Sequence, residues 1–81
     1  MRALHTKRAR NQFQAAPLNI QRAFEKQARL LLEDLRHPSL RAKKYDEAND
    51  IWQARITKDW RFYFQIEGDT YLILSIIPHP K

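Results

Sequence analysis

Between Asp50 and His79 apolar and polar positions alternate in a way that predicts three consecutive β-strands. Trp52, Ala54 and Ile56 interleave with Gln53, Arg55 and Thr57, and Trp60, Phe62, Phe64 and Ile66 interleave with Arg61, Tyr63 and Gln65. A period of two belongs to a strand with one face in the core and one outside it, so Arg55 and Arg61 are expected on the outer face. Ile56 and Trp60 must share the inner face, which asks for an odd connection, Thr57, Lys58 and Asp59. That register sets Ile56 opposite Trp60, Ala54 opposite Phe62 and Arg55 opposite Arg61. Glu67 to Thr70 then holds the only glycine of the chain, Gly68, as expected of a hairpin turn that needs a positive φ. Tyr71 to Ile77 is apolar on both faces, which suits a strand covered by helices on one side and partly shielded on the other. Its register stays open, because two-residue and three-residue turns give opposite parity. Pro78 closes the strand and His79 follows.

The N-terminal half has helical spacing. Arg2 to His5 is a weak strand, and Thr6 is placed to cap a helix from Lys7 that carries Ala9, Phe13 and Ala16 on one side. Pro17 ends it and opens a second helix, since the first turn needs no backbone N–H from that position. Ile20, Phe24, Ala28, Leu31 and Leu35 then recur at spacings of four, four, three and four, an apolar stripe that packs on the sheet. His37 and Pro38 are expected to stop this helix. Pro38 to Asn49 has no clear period, and its charged KKYDEAND stretch reads as an exposed loop.

Composition narrows the function. With 81 residues the chain reads as a single domain, 1–81, with one modest core. It has no cysteine, which removes disulfides, a thiol nucleophile and a zinc–thiolate site. His5, His37 and His79 lie far apart in sequence and none has the helical HxxxH spacing of a metal pair, so no metal and no cofactor are expected. No run reaches the ~18 apolar residues of a membrane span, and MRALHTKRAR lacks the apolar core of a secretory signal; a cytoplasmic location is expected. Fifteen Lys and Arg against nine Asp and Glu, a formal charge of +6, favour a polyanionic partner, nucleic acid or an acidic protein. Arg55 opposite Arg61 sharpens this. Like charges directly across a strand pair cost a few tenths of a kcal/mol up to about 1, whereas two adjacent guanidiniums grip a phosphate with forked, charge-assisted hydrogen bonds.

The order of a short first strand, a helical hairpin, HPSL at the exit of the second helix, then IWQARI, WRFYF and a last strand running into a histidine resembles the RelE/ParE toxin superfamily over nearly the whole chain. The resemblance implies an α+β fold, with the N-terminal strand and helical hairpin packed on a mainly antiparallel, twisted sheet of about four strands. It implies a toxin of a type II toxin–antitoxin pair, neutralised by a cognate antitoxin that is acidic and partly disordered when free. The RelE-like branch cuts mRNA in the ribosomal A site without metal, and the ParE-like branch poisons DNA gyrase instead; the first is favoured. A member that is catalytically inactive and only binds its antitoxin is a further alternative.

Cleavage through the ribose 2′-OH needs a proton acceptor for that hydroxyl, cations for the crowded phosphorane and a proton donor for the leaving 5′-oxygen. By resemblance Arg61 is the phosphate-binding arginine, Arg55 a second basic group facing the substrate, and His79 the group that transfers protons. Lys43, Lys44, Lys58 and Lys81 would hold the RNA backbone, and Tyr63 or Trp60 would stack on a base. The chain departs from the family it resembles in having Gln53 where some members carry lysine, no aligned glutamate near HPSL, and Pro80 and Lys81 where many carry a terminal aromatic.

Overall fold

The computed structural model describes residues 1–79. Strand β1 (Arg2–His5) leads into helices α1 (Lys7–Ala15) and α2 (Leu18–Glu33), then a 3-10 turn (Pro38–Leu40) and strands β2 (Lys43–Asp46), β3 (Ile51–Thr57), β4 (Trp60–Glu67) and β5 (Thr70–Pro78). They form one sheet in the order β1-β5-β4-β3-β2. β1 runs parallel to β5 and the other pairs are antiparallel. The class is α+β as expected, but the sheet has five strands instead of about four. The additional one, β2, lies in the stretch that has no period. It has four residues and is bulged at Tyr45, between the pairs Lys44–Trp52 and Asp46–Ile51, so no alternation survives for a pattern to detect.

The core lies between the helices and one sheet face. Ala54, Ile56, Phe62, Phe64, Tyr71, Ile73 and Ile76 meet Ala9, Ile20, Phe24 and Leu31, with Leu40 of the 3-10 turn closing one end. Phe24 sets its ring edge-on against Phe62 at 5.2 Å, a favoured aromatic geometry. The predicted inner face of β3 and β4 is thus correct. Arg55 pairs with Arg61 and Ala54 with Phe62, but Trp60 lies opposite Thr57, not Ile56. The turn contains only Lys58 and Asp59, and the odd residue needed to keep Ile56 and Trp60 inside is taken up by a bulge at Ile56. The last hairpin also has a two-residue turn, with Gly68 at φ 59°, and a bulge at Leu74 brings Ile73 and Ile76 both to the core.

Thr6 caps α1 as its position suggested, accepting from the Ala9 N–H at 3.1 Å. α2 ends at Glu33, short of His37. Asp34 turns extended there, and its carboxylate accepts from the Arg36 N–H at 2.9 Å, competing with the helix for the backbone. Leu35 nevertheless packs on the core from outside the helix.

Both outer strands are short, and the inner strands run past them. Where β1 stops, the Ile76 N–H of β5 donates to Oε1 of Gln12 on α1 at 2.8 Å. Where β2 stops, the Arg55 carbonyl of β3 accepts from Nε2 of Gln27 on α2 at 2.8 Å. Gln27 is buried, 6% exposed, and also donates to the Ser39 carbonyl and accepts from the Ser39 hydroxyl. It therefore ties α2, the 3-10 turn and the free edge of β3 together. Gln27→Leu is expected to lower unfolding stability by about 1–3 kcal/mol, since the partly buried carbonyls of Arg55 and Ser39 lose their donor. Urea denaturation checks this, and an unchanged midpoint would remove the clamp from the account.

Candidate functional site

On the open face, the ends of β3, β4 and β5 that run past the outer strands meet the segment entering β2. They enclose a cleft of about 190 Å³ lined by Arg41, Lys43, Gln53, Ala54, Arg55, Arg61 and His79. Four cations and a histidine share it with no carboxylate in its lining. Among the described residues the only ion pair is Lys44 with Asp50, at 2.5 Å, so no acidic side chain is paired with a cation of the cleft.

Backbone geometry assembles these groups. Arg55 and Arg61 are cross-strand partners. Arg61 is steadied by the β3–β4 turn, where its Nη1 donates to the carbonyls of Thr57 at 2.6 Å, Trp60 at 3.0 Å and Lys58 at 3.1 Å. The fourth carbonyl of that turn, Asp59, accepts from the His79 N–H at 2.7 Å. One hairpin therefore fixes both the guanidinium and the residue after β5. Arg41 closes the 3-10 turn in the left-handed region, at φ 47°, an uncommon conformation for a residue with a side chain. Burial, then the positive charges of Arg55 and Arg41, push the Arg61 pKa below the usual arginine value, with Tyr63 and Asp59 opposing. A site with this charge balance favours an anion.

Arg55, Arg61 and His79 are thus brought together, and Lys43 joins them. Lys44 is not brought in: it lies on the other side of β2, paired with Asp50 and with its Nζ 5.2 Å from the Trp52 ring centre. Lys58 is exposed at the hairpin tip outside the cleft. Tyr63 is 9% exposed, with burial first and then Tyr45 raising its pKa. Trp60 is partly buried against the core. Lys81 lies outside the described residues. Gln53 is present in the cleft as an amide, in the position noted as a departure. Arg41 was missed, and nothing in the sequence distinguishes it from the other arginines; its role comes from a left-handed turn that no glycine or asparagine announces. A neighbouring cleft shares Arg41 and Arg55 and adds Lys26, extending the basic surface over the edge of β3.

A larger groove of about 450 Å³ lies elsewhere, between α1, α2 and β1, lined by Phe13, Phe24, Ala28, Arg10, Arg29, Glu25, Gln14 and His5. His5 packs edge-on against Phe24 at 5.8 Å. Burial, and next Arg10, hold its pKa below the ordinary 6.5. Among the described residues no three of His, Asp and Glu gather as a metal site, and no helix is long and apolar enough to cross a membrane.

No protein-family profile matches the chain, and no curated protein does. Solved structures do. A YoeB/ParE toxin from Agrobacterium tumefaciens superposes with a TM-score of 0.82 at 14% identity, covering 99% of this chain and 100% of that one. The toxin–antitoxin complex RelBE2 from Mycobacterium tuberculosis gives 0.77 at 21% identity, covering 95% of each chain. YafQ from Escherichia coli gives 0.79 at 10% identity, with 95% and 91% covered. The fold is therefore that of the RelE/ParE toxins, and the resemblance read from the motif order holds at the level of architecture.

Two stability measurements follow from the site. Like-charge repulsion is all that Arg55→Gln removes from the Arg55–Arg61 pair, so that variant should unfold at equal or higher denaturant, by up to about 1 kcal/mol. Arg61→Gln loses the bonds to three turn carbonyls and should be less stable by about 1–2 kcal/mol. On charge repulsion alone both variants would gain stability, so a gain in both would show that the turn contacts contribute little. For His5, the lowered folded-state pKa means that unfolding takes up protons. Its contribution is complete above about pH 6.5 and is lost as pH falls through that value toward the lowered one. Thermal midpoints should accordingly decline from pH 7 to about pH 5, with a smaller decline in His5→Gln.

Proposed function

We propose that this protein is the toxin of a type II toxin–antitoxin pair and acts as a ribosome-dependent endoribonuclease on mRNA. The observation that carries this reading is the carboxylate-free cleft holding Arg55, Arg61 and His79 with Arg41 and Lys43, on a fold shared with YoeB, RelE and YafQ structures. The ribose O2′ attacks the adjacent phosphorus and the P–O5′ bond breaks, giving a 2′,3′-cyclic phosphate and a free 5′-hydroxyl. Arg55 and Arg61 lie side by side on neighbouring strands and stabilise the charge that accumulates on the phosphorane oxygens. Arg61 is already anchored through Nη1, so little reorganisation accompanies binding of the anion. His79 transfers a proton to the leaving O5′. The lining offers no carboxylate for the 2′-OH proton, which passes to water. Lys43 and Arg41 add positive charge where the RNA backbone enters and leaves.

The cognate antitoxin is an acidic segment that covers this basic face and folds as it does so. The similarity to structures solved as toxin–antitoxin complexes supports such a partner. Together with net charge +6, it favours an anionic one.

Expression without the partner gene should arrest growth, and primer extension after a short pulse should map new mRNA ends within translated codons. His79→Gln is expected to reduce those ends by at least about 100-fold while the purified protein keeps its unfolding midpoint. Growth arrest with a DNA-damage response and intact transcripts would replace this reading by gyrase poisoning.

A further inference from the structure

Tyr45 is 63% exposed, unlike the other aromatic residues of the open face. It is the extra residue of the β2–β3 bulge, a device that re-aims one side chain out of the regular pleat. Its ring meets Tyr63 at 4.9 Å with the planes crossed at 69°. Such an edge contact steadies the ring and leaves a face uncovered. Tyr63 is buried beneath it and presents no such surface.

The location matters as much as the exposure. Tyr45 follows Lys43 by two residues on β2, and Tyr63 follows Arg61 by two on β4. Two residues of strand span about 6.6 Å, so the ring lies within one nucleotide's reach of the cations of the cleft. Lys44, between them in sequence, points to the opposite side. Single-stranded nucleic acid is held by this combination, a cationic groove for the backbone beside an exposed ring for a base.

We propose that Tyr45 is the base-stacking platform of this protein: with one phosphate between Arg55 and Arg61, the base of that nucleotide or of its neighbour lies on the free face of the Tyr45 ring. This rests on the cleft binding RNA. Every base has a π-face, so the platform adds affinity without selecting the base.

The test is a fluorescence-polarisation titration of the full chain with a labelled single-stranded RNA of about ten nucleotides. The RNA is 2′-O-methylated so that it resists cleavage, and an abasic backbone of the same length is compared. Tyr45→Leu, which keeps an apolar contact with Tyr63, should bind the RNA about tenfold more weakly, as for loss of one stacked base. Tyr45→Phe should bind like the unsubstituted chain, and all three should bind the abasic backbone equally. The salt dependence should be unchanged in Tyr45→Leu and shallower by about one phosphate contact in Arg55→Gln. Full affinity in Tyr45→Leu alongside the shallower slope in Arg55→Gln would overturn the platform and leave the phosphate cleft standing. Equal loss on RNA and on the abasic backbone would also overturn it. An unsubstituted chain that binds neither probe would overturn the cleft and the platform together.

Discussion

Closure of two bare sheet edges is the constraint on which this structure depends. A strand that outruns its neighbour exposes donors and acceptors that must find partners. Here β3 outruns β2 and β5 outruns β1, and each helix returns one glutamine to the exposed stretch, Gln27 to the Arg55 carbonyl and Gln12 to the Ile76 N–H. The helices thus do more than cover an apolar face. They terminate the sheet in hydrogen bonds at the two places where the inner strands carry on toward the cleft. Because Arg55 is itself the residue whose carbonyl is held, the position of its side chain follows from a contact made behind it.

The second organising element is the short β3–β4 hairpin. Its four carbonyls point at two groups of the candidate site, three toward the guanidinium of Arg61 and one toward the backbone of His79. Arg55 and Arg61 pair across strands, with Arg41 and Lys43 nearby, and no carboxylate lines the cleft with them. The turn's carbonyl dipoles offset part of that repulsion while leaving the net positive charge in place for a ligand. The like charge that would favour an anion is thus the charge that weakens the fold in the same cluster.

Much of this was legible in the chain. Strict alternation locates β3 and β4, the four-and-three spacing locates α2, and the parity of Ile56 and Trp60 implies the Arg55–Arg61 pairing. The pairing survived even though the turn was one residue shorter than expected, because a bulge restores the same parity as an odd loop. What escaped is equally physical. β2 is brief and bulged, so it has no period. Gln12 and Gln27 look like surface residues because a polar side chain that closes an edge has the same composition as one that faces water. Arg41 depends on a left-handed residue in a segment with no turn signature, and Tyr45 on a bulge whose presence erases the alternation that would have announced it. Lys44 illustrates the converse: charge alone suggested an interface, and Asp50 and Trp52 take it up instead.

The Lys58–Asp59 hairpin also bears on how the cleft could be altered. Its span, not only its composition, aligns the Arg61 guanidinium with the backbone of His79, since both are held by consecutive carbonyls of one tight bend. A single residue inserted at that tip would restore the odd loop that the bulge at Ile56 now replaces, keeping Arg55 opposite Arg61 while changing which carbonyls reach Arg61 and His79. Length change at a solvent-exposed corner, ordinarily silent, would there reshape the cleft.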